Sequence, residues 1–163
     1  MTEKQRIGIA EYRVASAPQV LVSYGLGSCV GIVLYDPGLK LGGLAHTLLP
    51  EQRSGMGESR PGKFVSLAIR QMWQELLELG ADPDRIVAKI CGGAHMFHPP
   101  PEDPSRTIGQ RNIVTARQTL AELGIELQAE DVGGGLGRTI EFDLASGKVF
   151  LRFARGHDRT REL

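Results

Sequence analysis

The sharpest chemical pattern in the sequence is the run Tyr24-Gly25-Leu26-Gly27-Ser28-Cys29. A cysteine directly after a Gly-x-Gly-Ser loop, at the start of an apolar run, is placed for nucleophilic attack. Glycines leave the loop's backbone amides free to turn toward the thiol. Such amides stabilise both a thiolate and the oxyanion formed when it attacks a carbonyl. Gly27 and Ser28 are therefore candidate oxyanion or substrate-binding positions. A thiol nucleophile also needs a base, and histidine is the usual partner. Four histidines are present: His46, His95, His98 and His157. His157 lies in a polar tail. His95 and His98 form H-x-x-H beside a proline run, but zinc needs more ligands than these two supply, so no metal is expected. His46 falls on a strand that follows, after a short turn, the strand beginning at Cys29. Hairpin pairing would set the two side by side. A catalytic base and a structural histidine are both open readings of His46 on these residues alone.

The second thiol, Cys91, closes the apolar run Val87-Ala88-Lys89-Ile90 and reads as a core residue. The glycine-rich run Asp131–Arg138 precedes a strand rather than a helix, so it lacks the helix dipole that binds phosphate in dinucleotide folds. It reads as a connecting turn. No Walker motif, Gly-x-Ser-x-Gly elbow or Cys-x-x-Cys pair occurs. One catalytic candidate remains, and it calls for no cofactor.

Composition removes several other classes. The 163 residues carry 19 Lys and Arg against 19 Asp and Glu. That balance leaves no uncompensated basic excess to attract nucleic acid. A 41% hydrophobic and 23% charged composition suits a globular protein rather than a disordered one. No apolar run of about 18 residues is available for a membrane span, so no membrane insertion is expected. The charged start, Met1-Thr2-Glu3-Lys4-Gln5-Arg6, does not read as a signal peptide, and two cysteines are too few for a disulfide scaffold. A cytoplasmic protein with free thiols is expected.

The elements that must position Cys29 and His46 follow from periodicity. Strands are expected at 7–15, 18–24, 29–35 and 40–49, the third buried on both faces. Residues 50–61 read as a mobile loop. Residues 62–79 have helical spacing, with Phe64, Val65, Ala68, Ile69, Met72, Leu76 and Leu79 on one face and Trp73 at its edge. A strand at 86–91 precedes the irregular proline stretch 98–104. A second helix over 109–123 buries Ile113, Ala116, Leu120 and Leu123. Strands at 125–132, 138–144 and 148–153 complete the chain, with a hairpin turn at 145–147 and a frayed polar tail over 154–163. Six to eight strands with two main helices give an α+β (mixed α/β) single domain with its core over about 7–153.

Five ordered segments add a resemblance. Gly25-Leu26-Gly27-Ser28-Cys29-Val30, Ala45-His46-Thr47-Leu48-Leu49-Pro50 and Lys89-Ile90-Cys91-Gly92-Gly93-Ala94-His95-Met96-Phe97 come first. Ile108-Gly109-Gln110-Arg111-Asn112 and Asp131-Val132-Gly133-Gly134-x-x-Gly137-Arg138 complete the set. In this order they resemble the CheD family of bacterial chemoreceptor glutamine deamidases, over roughly residues 18–153. His95 departs from the family pattern.

The resemblance implies a three-layer α/β/β sandwich similar to toxin-type cysteine deamidases. It also implies a Cys–His–hydroxyl set falling on Cys29, His46 and Ser23. Where the family pattern has threonine, Ser23 keeps the hydroxyl but lacks the methyl that restricts the rotamer. The implied substrate is a glutamine side chain of a methyl-accepting chemotaxis receptor, converted to glutamate through a cysteine thioester with release of ammonia. The family also resembles a regulatory partner that binds a CheC-type response-regulator phosphatase, so a receptor- or phosphatase-binding adaptor with little turnover is the alternative. An unrelated cysteine hydrolase of small amides is a third reading.

Overall fold

The computed structural model describes residues 3–52, 60–97, 101–154 and 160–163. Among these, ten strands and two α-helices form. They are β1 (Lys4–Arg6), β2 (Tyr12–Ser16), β3 (Val20–Leu26), β4 (Val30–Asp36), β5 (Leu41–Thr47), α1 (Val65–Glu78), β6 (Val87–Gly92), α2 (Ile108–Glu122), β7 (Glu126–Val132), β8 (Arg138–Asp143), β9 (Val149–Phe153) and β10 (Thr160–Glu162). The strands make two five-stranded sheets, ordered β1-β3-β8-β9-β10 and β2-β5-β4-β6-β7.

Side-chain alternation sorts the residues into layers. On β4, Val30, Ile32 and Leu34 face the helices, against Val65, Ala68, Ile69, Met72 and Leu76 of α1 and Ile113, Ala116 and Leu120 of α2. The alternate residues Val33 and Tyr35 face the other sheet and share a second core with Leu21, Leu44, Phe142 and Leu151. Burying each such aliphatic side chain contributes about 1.5–3 kcal/mol. The result is an α+β fold in three layers, helices on sheet on sheet. Every residue of β4 is buried, because both of its faces are covered.

Helix α1 lacks a side-chain cap. Its first amides instead reach back to the segment after β5: Val65 N–H donates to Leu49 O at 2.8 Å and Ser66 N–H to Pro50 O at 3.2 Å. Thr107 caps α2 by accepting from the Gln110 amide at 3.2 Å. Helix α2 also sits unusually close to the chain after β6. A Cβ on Gly109 would lie 2.4 Å from Gly93 O, so only glycine lets the helix approach there.

Four expectations differ from the structure. Residues 7–15 are not one strand: only the part from Tyr12 is strand (β2), and residues 7–11, with a turn at 9–10 where Ala10 takes a φ of 65°, carry the chain there from β1 in the other sheet. The tail is not wholly frayed, since Thr160–Glu162 pairs antiparallel with β9. These two short edge strands raise the count beyond eight. Leu79 is not on the buried face of α1 but 60% exposed, at the residue that ends the helix.

Candidate active site

His46 and Ser23 come from different sheets and meet between them. Ser23 on β3 and His46 on β5 are both fully buried, and Ser23 Oγ lies 2.8 Å from His46 Nδ1. The hydroxyl has one proton, and it is given to the Ile7 carbonyl at 2.6 Å. Ser23 must therefore accept from Nδ1–H, which fixes the tautomer: Nδ1 carries the proton and Nε2 keeps its lone pair. His46 Nε2 is buried with no hydrogen-bond partner among the described residues. A buried acceptor left unpaired costs about 1–3 kcal/mol, so it marks an atom kept free for use.

The turn that breaks the expected 7–15 strand holds the histidine's backbone. Ala10 N–H donates to His46 O at 2.8 Å, and His46 N–H donates to Glu11 O at 2.9 Å. This turn also delivers the Ile7 carbonyl to Ser23. Sequence reasoning missed Ile7 because its contribution is a backbone oxygen, which no side-chain pattern announces.

Cys29 stands just before β4, one residue beyond the last β4–β5 register pair, Val30↔Thr47. His46 is directly opposite Gly31. Cys29 precedes Gly31 by two residues, so thiol and imidazole face the same inter-sheet layer as diagonal neighbours, a spacing of about 7 Å in a sheet. The face of Gly31 is packed by Leu26 and Cys91. A Cβ there would meet Leu26 Cδ1 at 3.0 Å and Cys91 Sγ at 3.3 Å.

The loop before Cys29 is held by its carbonyls. Gly93 N–H donates to Cys29 O and Ala94 N–H to Gly27 O, both at 2.8 Å, while Asn112 Nδ2 donates to Ser28 O at 3.0 Å. No backbone acceptor among the described residues takes the amides of Gly27, Ser28 or Cys29. Carbonyls tied outward and amides left unclaimed are what an oxyanion site requires. The thiol also receives its own residue's amide.

Burial sets the resting protonation state. It pushes the Cys29 thiol above its ordinary value, opposed by that backbone amide. It holds the His46 imidazole down to about 4. At neutral pH both groups are uncharged. The thiolate that the glycine loop's amides would stabilise is therefore not the resting state, and Cys29 is only 8% exposed. Nucleophile and base can still work as a pair, with the proton moving from Sγ to Nε2 as the sulfur attacks.

The remaining candidates separate cleanly. Cys91 lies inside β6 opposite Gly31, fully buried, with its thiol pushed up to about 12 by desolvation. His95 belongs to the segment after β6, where its amide donates to Gly134 O at 2.9 Å and its ring meets Phe97 edge-on. His98 and His157 lie outside the described residues. The run at 131–138 does connect two strands, and it braces the site from behind. Arg138 donates to Asp131, Gly133 O and Leu136 O, while Gly133 N–H donates to Gly92 O.

The family described as CheD chemotactic sensory transduction matches residues 48–153. A probable chemoreceptor glutamine deamidase, CheD 2, of Geobacter metallireducens is 52% identical over 90% of this chain and 91% of its own. The chain belongs to the CheD family. Other CheD relatives named probable chemoreceptor glutamine deamidases come from Desulforamulus reducens, 46% identical over 90% of this chain and 89% of its own, and from Pyrococcus abyssi, 46% identical over 93% of each. The matched CheD segment begins after His46 and holds Cys91, Asn112 and Arg138. Ser23, Cys29 and His46 lie before that segment. No described helix is long and apolar enough to cross a membrane.

Proposed function

We propose that this CheD protein is a cytoplasmic, single-domain protein-glutamine deamidase. Its substrates are glutamine side chains of methyl-accepting chemotaxis receptors. The observation that carries the reading is the His46 ring: Nδ1–H given to Ser23, Nε2 buried, unprotonated and unpartnered on the face of the sheet that Cys29 shares.

Cys29 Sγ attacks the glutamine amide carbon while its proton passes to His46 Nε2. The amides of Gly27, Ser28 and Cys29 receive the negative oxygen of the tetrahedral intermediate. That intermediate collapses by breaking the C–N bond. His46 Nε2–H gives its proton to the departing nitrogen, releasing ammonia and leaving a Cys29 thioester. Water then attacks the thioester, losing a proton to Nε2, and the C–S bond breaks to give glutamate and the free thiol. Ser23 keeps the ring oriented throughout, accepting from Nδ1–H while its own proton stays directed to the Ile7 carbonyl. The residues supply nucleophile, base and oxyanion donors themselves.

The rim supports a protein substrate. Phe97 is 77% exposed and Met96 43%, and Met96 Sδ lies 3.4 Å from the position of a Cβ on Gly27. Apolar side chains this exposed beside the nucleophile loop favour a protein surface. The same rim supports the second reading, an adaptor that binds receptors or a CheC-type phosphatase with little turnover.

Tandem mass spectrometry of a receptor cytoplasmic fragment, incubated with the protein beside a sample of free glutamine, tests the proposal. Glutamine-to-glutamate conversion in the fragment, without ammonia from free glutamine, is expected. Fragment binding without conversion favours the adaptor. Ammonia from free glutamine points to a small-amide hydrolase.

A further inference from the structure

Asn112 is fully buried, although nothing about helix α2 requires a polar residue at that position. Its Nδ2 donates twice, at 3.0 Å each, to Ser28 O and to Leu48 O. Ser28 precedes Cys29, and Leu48 follows the end of the strand that bears His46. The β4–β5 ladder stops at Val30↔Thr47, where Thr47 Oγ1 donates to Val30 O at 2.8 Å. Beyond that pair, the carboxamide of Asn112 ties the two chains together where a further rung would have been.

We propose that Asn112 is a positioning residue: by holding the Ser28 and Leu48 carbonyls on one nitrogen, it sets the separation of the Cys29 thiol from the His46 imidazole. The inference rests on the nucleophile–base reading above. Two observations favour it over simple packing. Asn112 Oδ1 is buried and has no partner among the described residues. An aliphatic side chain of similar size would remove the orphaned acceptor but leave the Ser28 and Leu48 carbonyls without their shared donor, so what asparagine adds here is the tie between those two carbonyls. Second, the helix is carried to the site by the Gly93–Gly109 contact, and a Cβ on Gly93 would lie 2.5 Å from Ile113 Cγ1. The segments at 92–94 and 108–112 thus interlock so that residue 112 reaches the ends of both strands.

The test is a double-mutant cycle in the full chain, read by iodoacetamide alkylation of Cys29 across pH in a Cys91→Ala background. Asn112→Leu removes both donors, and Asn112→Asp turns the amide nitrogen into an oxygen facing two carbonyls. Each is combined with His46→Ala. The proposal expects either Asn112 change to slow alkylation about tenfold or more, comparable to losing an outer partner of a catalytic group. The altered pH profile should coincide with that of His46→Ala, and adding the two changes should cost nothing further. Independent, additive losses overturn the proposal, as does a folded Asn112 variant alkylated within about twofold of its parent.

With receptor fragment as substrate, the same variants should lower kcat and leave KM nearly unchanged. If the parent protein does not deamidate at all, the functional reading fails while the alkylation cycle still decides the role of Asn112. Should neither variant fold, the NMR signals of the wild-type Asn112 side chain decide. Two slowly exchanging NH2 protons support the clamp, and rapid exchange overturns it.

Discussion

The two cysteines sit on neighbouring stretches of one sheet and face the same layer, yet they have opposite characters. Cys91 lies inside β6, opposite Gly31, with its backbone committed to the ladder and its thiol surrounded by core. Cys29 lies just before β4, where pairing has stopped and no backbone acceptor among the described residues takes the amides of Gly27, Ser28 or Cys29. Both thiols are pushed up by burial, Cys91 as far as about 12. In the proposed mechanism, depth alone does not select the nucleophile. A strand end offers free amides and a diagonal histidine with an available lone pair, and a strand interior offers neither.

Substitutions can break this contrast, and the largest effect is expected at Cys29. Cys29→Ala should lower deamidation of a receptor fragment by on the order of 10⁴-fold or more while the thermal unfolding midpoint stays near that of the parent. His46→Ala should cost on the order of 10³-fold, since the thiol loses its proton acceptor. Ser23→Ala should cost about 10–100-fold, because the ring keeps its place but loses the partner that fixes its tautomer. Ser23→Thr should retain activity, which would show that the hydroxyl carries the role. Cys91→Ala should leave kcat unchanged and lower stability by about 1–3 kcal/mol in denaturant titration, as a filled core site is emptied.

Two pH dependences sharpen the same contrast. His46 has a folded-state value near 4, below its ordinary 6.5. The unfolded chain therefore binds more protons between these values, and stability is lost as pH falls from about 6.5 through 4. The loss amounts to about 3 kcal/mol if the full shift is realised. Denaturant titrations of the parent and of His46→Gln should diverge over that window, the variant being flatter. Deamidation should likewise persist well below pH 6.5 and fail only as Nε2 is protonated near 4. Alkylation by iodoacetamide should be slow at neutral pH and rise into the alkaline range, with Cys29 modified before Cys91. Fast labelling of Cys29 at pH 6 would falsify the neutral resting pair.

Much of this was legible in the sequence. Continuous apolar runs and the turn at 36–38 identified the β4–β5 hairpin, and hairpin geometry was enough to put Cys29 and His46 on one face of it. Helical spacing marked both helices, although Leu79 sits where the helix ends and its face has turned to solvent. What stayed hidden depended on contacts distant in sequence. The 7–15 run alternates well enough for one strand, but the chain changes sheets at Ala10, and only tertiary structure shows that this turn carries the Ile7 carbonyl to Ser23. The pairing of β10 with β9 is likewise nonlocal. Asn112 stood in a recognised segment with no role attached, because its partners are backbone carbonyls 64 and 84 positions away. The thiol's state could not follow from the glycine loop, since it is set by the sheet packed over it.

The most direct measurement compares three proteins on one receptor cytoplasmic fragment: the parent, Cys29→Ala and Cys91→Ala, with glutamine-to-glutamate conversion followed by mass spectrometry. The account predicts equal conversion by the parent and Cys91→Ala and none by Cys29→Ala. Conversion by Cys29→Ala, or its loss in a folded Cys91→Ala protein, would contradict it.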